Sequence, residues 1–259
     1  MKVPSDAPAL AQVRQACKEL RLPSVGARAQ QVSEEATKGG VTHLAFLGAL
    51  LEAELEDRAE RRRHRRVQEA RFPRLKRLED FSFDDAPTVS ASTVAELATC
   101  SFVERAENVI LLGESGTGKT HLAIALGVVA CMASHRVRFT TTAALVNELL
   151  EAREHRMLSR VVARYGRVEL LILDELAYMP LSAPEAELLF QVLDERTESS
   201  SIVLTTNLPF GEWTKVFPEP RLCKAVVDRL TFNAHILETG TESWRFRSSV
   251  KRQKGGRKT

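Results

Sequence analysis

One octapeptide constrains this chain more than any other feature. Gly113-Glu-Ser-Gly-Thr-Gly-Lys-Thr120 matches G-x-x-x-x-G-K-[ST] in full. The apolar run Asn108-Val-Ile-Leu-Leu112 precedes it, and His121-Leu-Ala-Ile-Ala-Leu126 follows. That order predicts a buried strand, a glycine-rich turn and a helix. Glycines let backbone N–H groups wrap phosphate oxygens without side-chain clash, and the helix N-terminus adds a favourable dipole. Gly113, Glu114, Ser115, Gly116, Thr117, Gly118, Lys119, Thr120 and His121 are therefore expected to bind a nucleotide. Lys119 can reach the β- and γ-phosphates and the Thr120 hydroxyl can coordinate Mg²⁺, so the ligands implied are ATP and Mg²⁺.

The chain beyond residue 75 alternates short apolar runs with helical periods. Strand candidates are 108–112, 136–140, 170–173, 201–205 and, more weakly, 234–237. Such alternation predicts an α/β fold with a central parallel sheet covered on both faces. Ser182-Ala-Pro-Glu185 has capping-box spacing and marks a helix start. The first 75 residues read as helical instead. Leu10, Val13, Cys17 and Leu20 recur at helical spacing until Pro23, and a second pattern starts at Leu44 and continues through Leu47, Leu51 and Leu55. It meets no breaker before Phe72-Pro73, so one long helix is expected to run to Arg71. The domains expected are a helical one over 1–75, an α/β one over 76–250 and a basic tail over 251–259.

Two further strand ends carry polar residues. Leu170-Leu-Ile-Leu-Asp174-Glu175 places two carboxylates after an apolar strand. Asp174 is the candidate for holding Mg²⁺, and Glu175, pointing the other way by strand alternation, the candidate for polarising an attacking water. The adjacent pair favours hydrolysis over transfer to a small acceptor. Ser201-Ile-Val-Leu-Thr-Thr-Asn207 ends in an asparagine that either helps position water or simply forms a turn. Arg229 in Lys224-Ala-Val-Val-Asp-Arg-Leu is either a local or solvated arginine or a finger offered to a neighbouring subunit's nucleotide.

Charge points to a partner. The 259 residues hold 37 Lys+Arg and 34 Asp+Glu, a net of only +3. Residues 58–77 alone carry +8 and residues 245–259 carry +7, which leaves the remainder at −12. Two basic segments on an acidic body imply a polyanion. Arg61, Arg62, Arg63, Arg65 and Arg66 lack interleaved aromatics, which suits phosphate contact on duplex DNA better than stacking on single strands. A solvated helix end or an acidic protein partner is the other reading. Arg153, Arg156, Arg160 and Arg164 recur at spacings expected of one helical face, either a DNA-facing stripe or a solvated face paired with Glu148, Glu151 and Glu154. The 44% hydrophobic content excludes a mainly disordered chain. No run reaches the roughly 20 apolar residues of a membrane span. Residues 1–6 lack the apolar core of a secretory signal, and Cys17, Cys100, Cys131 and Cys223 have no metal or redox spacing. A cytoplasmic location without membrane association is therefore expected.

The order Glu107–Leu126, Leu-Ile-Leu-Asp-Glu175-Leu, Thr-Thr-Asn207 and Asp-Arg229-Leu resembles the IstB-like ATPases, helper proteins of bacterial insertion-sequence transposases. They are relatives of the DnaC-type helicase loaders within the AAA+ superfamily. Leu50-Leu-Glu-Ala-Glu-Leu55, the arginine run and Leu78-Glu-Asp-Phe-Ser-Phe83 resemble the helper pattern more than the loader pattern. The resemblance implies a three-layer AAA+ fold, with Lys119 and Thr120 in Walker A, Asp174 and Glu175 in Walker B, Asn207 as sensor 1 and Arg229 as the finger acting in trans. It also implies an ATP-dependent homo-oligomer, ring or helical filament, on duplex DNA, acting with a cognate transposase in target selection. Departures from the pattern are Phe217-Pro-Glu-Pro220, Thr231-Phe-Asn233 and Trp244-Arg245. Only 30 residues follow Arg229, too few for a full helical lid, so the lid is expected to be minimal or absent and Arg245 is a weak candidate for its sensor. The alternative function is a replicative helicase loader.

Overall fold

A computed structural model of the chain describes residues 6–241 and 243. Arg245 and the basic tail lie outside the described residues. By its packing the chain divides between His64 and Arg65 into two compact units.

The first unit is helical. Helix α1 spans Asp6–Glu19, α2 spans Pro23–Gly39, and α3, His43–Ala70, runs through the division. Pro23, which in periodicity reads as a stop, occupies the first turn of α2, where its missing N–H costs nothing. Cys17, Val25 and Leu50 form a small core with Leu22, Val32 and Phe46. Glu54 is buried beside them and accepts hydrogen bonds from Ser24 N–H at 2.8 Å and Val25 N–H at 3.3 Å, satisfying donors at the start of α2. Burial pushes its carboxyl up. The Arg58 guanidinium and those two N–H groups outweigh that and hold it below the usual range. The leucines that revealed α3 are largely on its outer face: Leu44 is 82% exposed and Leu55 67%, whereas Leu50 is buried.

The second unit carries a five-stranded sheet among the described residues, in the order β2-β3-β4-β1-β5. The strands are β1 Asn108–Leu112, β2 Val137–Thr141, β3 Leu170–Asp174, β4 Ser201–Thr206 and β5 Ala234–Glu238. Every pairing is parallel. The second strand starts one residue later than its sequence pattern suggested. Side chains alternate between two cores as the pleat requires. Val109, Leu111, Leu170, Ile172 and Val203 face one core with α4 (Ala91–Leu97), α5 (Ser101–Glu104) and α6 (Lys119–Met132). Ile110, Leu171, Leu173, Ile202 and Leu204 face the other. That second core includes α7 (Thr142–Glu154), α8 (Leu158–Gly166), α9 (Ala183–Arg196) and α10 (Pro220–Thr231). The result is the expected three-layer α/β arrangement.

The capping box is present: Ser182 donates from its N–H and its hydroxyl to Glu185 Oε2, both at 2.7 Å, at the start of α9. One expectation is corrected. Arg153, Arg156, Arg160 and Arg164 do not share one helix. Arg156 adopts φ +56, Met157 N–H reaches back to Ala152 O at 2.7 Å, and α7 ends before α8 begins. This is a left-handed helix closure, which sequence reading expects at Gly or Asn rather than at Arg.

Candidate nucleotide site

The sheet order explains why the sequence motifs meet. Strand β4 lies between β1 and β3, so the carboxyl ends of the three strands emerge side by side. From β1 comes the glycine loop, from β3 come Asp174 and Glu175, and from β4 comes Asn207.

The loop is tied on both sides. Gly113 N–H donates to Thr206 O of β4 at 3.2 Å, and Glu114 N–H to Gly240 O beyond β5 at 3.0 Å. The Thr117 hydroxyl contacts Glu114 O at 2.9 Å and the Thr239 hydroxyl at 2.6 Å. Two glycines are sterically required. Gly118 has φ +100, and a Cβ there would meet the Phe81 ring at 2.8 Å. Gly113 has φ +156 and a Cβ there would run into Thr239 and the backbone of Gly240. Lys119 Nζ lies across the loop, donating to Gly113 O at 2.5 Å and Glu114 O at 2.7 Å. Glu114 and Ser115 are exposed at its tip, and Gly116 is half-buried. His121 Nε2 lies 2.9 Å from Arg77 O, and its ring meets Phe81 edge-on at 5.6 Å.

Beside the loop, the Thr120 hydroxyl lies 3.0 and 3.1 Å from the two Asp174 oxygens. A hydroxyl and a carboxylate at the mouth of an anion-binding loop are the oxygen donors a Mg²⁺ ion prefers, so the residues present fit the ion and the phosphates that would carry it. Asp174 is buried, whereas Glu175 is exposed with φ +60. Asn207 is also exposed, just past β4.

Arg229 sits elsewhere. Asn108, at the start of β1, donates its side-chain amide to Arg229 O and Leu230 O, so the Arg229 backbone lies at the amino-terminal ends of the strands, opposite the loop. The two ends of β1 are separated by roughly 13 Å of strand. Its guanidinium pairs with Asp194 at 2.7 Å and lies 4.5 Å from the centre of the Phe190 ring. The structure thus does not bring Arg229 to the loop of its own chain. Sequence reading missed Asp194, Phe190, Thr239 and Phe81. Only Phe81, in the Leu78–Phe83 connector, lay in a stretch that the resemblance had picked out.

Among the basic candidates, Arg153, Arg156 and Arg160 are exposed. Arg164 pairs with Glu148 at 2.5 Å and stacks over Tyr165. In the first unit Arg61 pairs with Glu54, and in the second Arg65 and Arg66 pair with Glu69. Arg62 and Arg63 are exposed on α3.

The sequence profile of the IstB-like ATP binding protein family matches residues 15–252. The chain belongs to that family. It is 41% identical over 240 residues to an insertion sequence ATP-binding protein of Sinorhizobium fredii, covering 92% of this chain and 80% of that one. Identity to the IS21 ATP-binding protein of Pseudomonas aeruginosa is 39% over 232 residues, covering 90% and 88%. Among solved structures, AMPPCP-bound DnaA from Aquifex aeolicus superposes with a TM-score of 0.56 at 19% identity, over 71% of this chain and 56% of that one. The DnaI crystal structure gives 0.51 at 20% identity, over 63% and 90%. These likenesses are of fold, and the fold of this IstB-like chain is that of the AAA+ P-loop proteins.

Proposed function

We propose that this IstB-like protein hydrolyses ATP and acts as the DNA-binding helper of an insertion-sequence transposase. The observation that carries hydrolysis is the Thr120–Asp174 contact beside the glycine loop with a second carboxylate, Glu175, next in the chain, since ATP binding alone needs no second carboxylate there. Loop N–H groups and Lys119 bind the triphosphate. Lys119 leaves its two carbonyl partners to do so, exchanging neutral acceptors for charged ones. Thr120 and Asp174 would hold Mg²⁺, which when bound neutralises charge on the phosphate oxygens. Glu175 takes a proton from the attacking water, and Asn207 orients that water.

Arg229 acts in trans, on the nucleotide of a neighbouring copy. Its place at the amino-terminal ends of the strands, away from its own loop, supports that reading. Assembly with ATP then follows, because each site is completed by a second chain. Duplex DNA is the partner, contacted by phosphate-directed arginines, with Arg62 and Arg63 free to turn outward and Arg153, Arg156 and Arg160 as a second patch. The names of the relatives support the insertion-sequence setting, and the cognate transposase is the other partner proposed.

The test is the Glu175→Gln variant with ATP and a duplex. It should bind ATP, release no phosphate and stay on DNA as an assembly visible by sedimentation. Normal turnover in that variant removes the assigned base. Preference for single strands together with co-purification of a replicative helicase would move the reading to a loader.

A further inference from the structure

We propose that Thr205 is a positioning residue for the Asp174–Glu175 pair, holding the exit turn of β3 in its working shape. The inference rests on the hydrolytic reading above and deepens it. Thr205 alone engages three consecutive residues. Its hydroxyl donates to Asp174 Oδ1 at 2.6 Å and accepts Glu175 N–H at 2.9 Å, while its carbonyl accepts Leu176 N–H at 3.0 Å. Thr205 is 1% exposed and Asp174 4%, so water has no access to replace the hydroxyl.

Each bond has a separate consequence. Among the described residues, the only other side-chain hydroxyl on the Asp174 carboxylate is that of Thr120, the group also offered to the metal, since the Thr142 hydroxyl donates to the Asp174 carbonyl instead. A Thr120 oxygen drawn to a cation loosens that hold, and Thr205 then keeps the carboxylate oriented. Glu175 is a non-glycine residue at φ +60, a conformation that persists only where its surroundings enforce it. The N–H bond to Thr205 supplies that enforcement and thereby sets where the exposed carboxylate of Glu175 points. Strand β4 extends the link, because the next residue, Thr206, accepts Gly113 N–H through its carbonyl. One strand end therefore fixes the carboxylate turn on one side and the glycine loop on the other, two residues before Asn207.

The test compares Thr205→Val, which removes the hydroxyl at nearly constant volume, with Thr205→Ser, which keeps it. Three measurements use the full chain: hydrogen exchange of the 174–178 backbone without nucleotide, the Mg²⁺ dependence of fluorescent-ATP affinity, and phosphate release. In the valine variant exchange should quicken at Glu175, the Mg²⁺ requirement rise about tenfold and turnover fall about 10–100-fold, as expected for a lost outer partner of a metal-binding carboxylate. The serine variant should stay within about threefold of wild type throughout. Wild-type exchange and Mg²⁺ dependence in the valine variant overturn the proposal, as does a serine variant impaired to the same degree. If the valine variant does not fold, Thr205→Ala is read by the same criteria. A wild-type protein that binds ATP but releases no phosphate refutes hydrolysis, and the exchange and Mg²⁺ results then still decide the role of Thr205.

Discussion

Arg229 is held by its own chain, and the strength of that hold decides whether it can serve a neighbour. The ion pair with Asp194 joins side chains 30% and 53% exposed, a setting in which such pairs contribute about 0.2–1 kcal/mol. The stacking on Phe190 adds about 0.5–1 kcal/mol. Releasing the guanidinium therefore costs about 0.7–2 kcal/mol, a factor of about 3–30. A finger supplied in trans contributes about 10³-fold or more to turnover, at least about 4 kcal/mol. A trans contact of that size would win that competition. Arg229→Ala should therefore lower phosphate release about 10³-fold at protein concentrations where the wild type assembles. Asp194→Asn, which weakens only the cis hold, should leave turnover unchanged or raise it by up to about fivefold. The assay is steady-state phosphate release over a protein-concentration series with ATP and duplex DNA. An Arg229→Ala protein as active as wild type would rule out a finger acting in trans, and so would an Asp194→Asn protein that falls as far as Arg229→Ala.

Other consequences can be checked independently. Glu54 has a folded pKa below its ordinary 4.5, so its contribution is complete above the unfolded value and is lost as pH falls through the folded one. Glu54→Gln should lower stability to denaturant by about 1–3 kcal/mol at pH 7, and the difference from wild type should shrink in strong acid. Arg196 is buried and donates to the carbonyls of Tyr165, Val168 and Ser201, while burial brings its pKa down to about 9. Arg196→Met strands three acceptors and should cost about 3–5 kcal/mol by urea unfolding; a loss under about 1 kcal/mol would show that those bonds are dispensable. Replacing Arg62 and Arg63 together by serine should reduce the slope of log affinity for duplex DNA against log salt by about 2, and an unchanged slope would place the contacts elsewhere.

The glycine loop, the two carboxylates and the strand pattern were legible because each is local: a few consecutive residues state both the element and its chemistry. The 28-residue helix α3 was also legible, since its period is unbroken before Phe72-Pro73, although it closes at Ala70 through a left-handed Arg71. Its buried face was not. Periodicity picked out Leu44 and Leu55, which are exposed, and passed over the acid at Glu54, whose burial depends on the N–H groups of a helix 30 residues earlier. Helix α2 escaped notice because it buries only Ser24, Val25 and Ala29 and begins at a proline. The arginine stripe failed at Arg156, where a left-handed closure is made by a residue that gives no sign of it. Within the site, Thr205 and Thr239 act through contacts 31 and 122 residues away in sequence, and no local pattern carries such information.

If the glycine loop, Asp174 and Glu175 form an ATP-hydrolysing site used on DNA, the purified chain must show it. Phosphate release by the purified wild-type chain, with and without duplex DNA, tests it most directly beside Lys119→Ala and Glu175→Gln. Duplex DNA should stimulate turnover, the lysine variant should lose ATP binding, and the glutamine variant should keep binding while its turnover is abolished. Phosphate release at the same rate in all three proteins, or ATP bound by the wild type and never hydrolysed on duplex DNA, would contradict it.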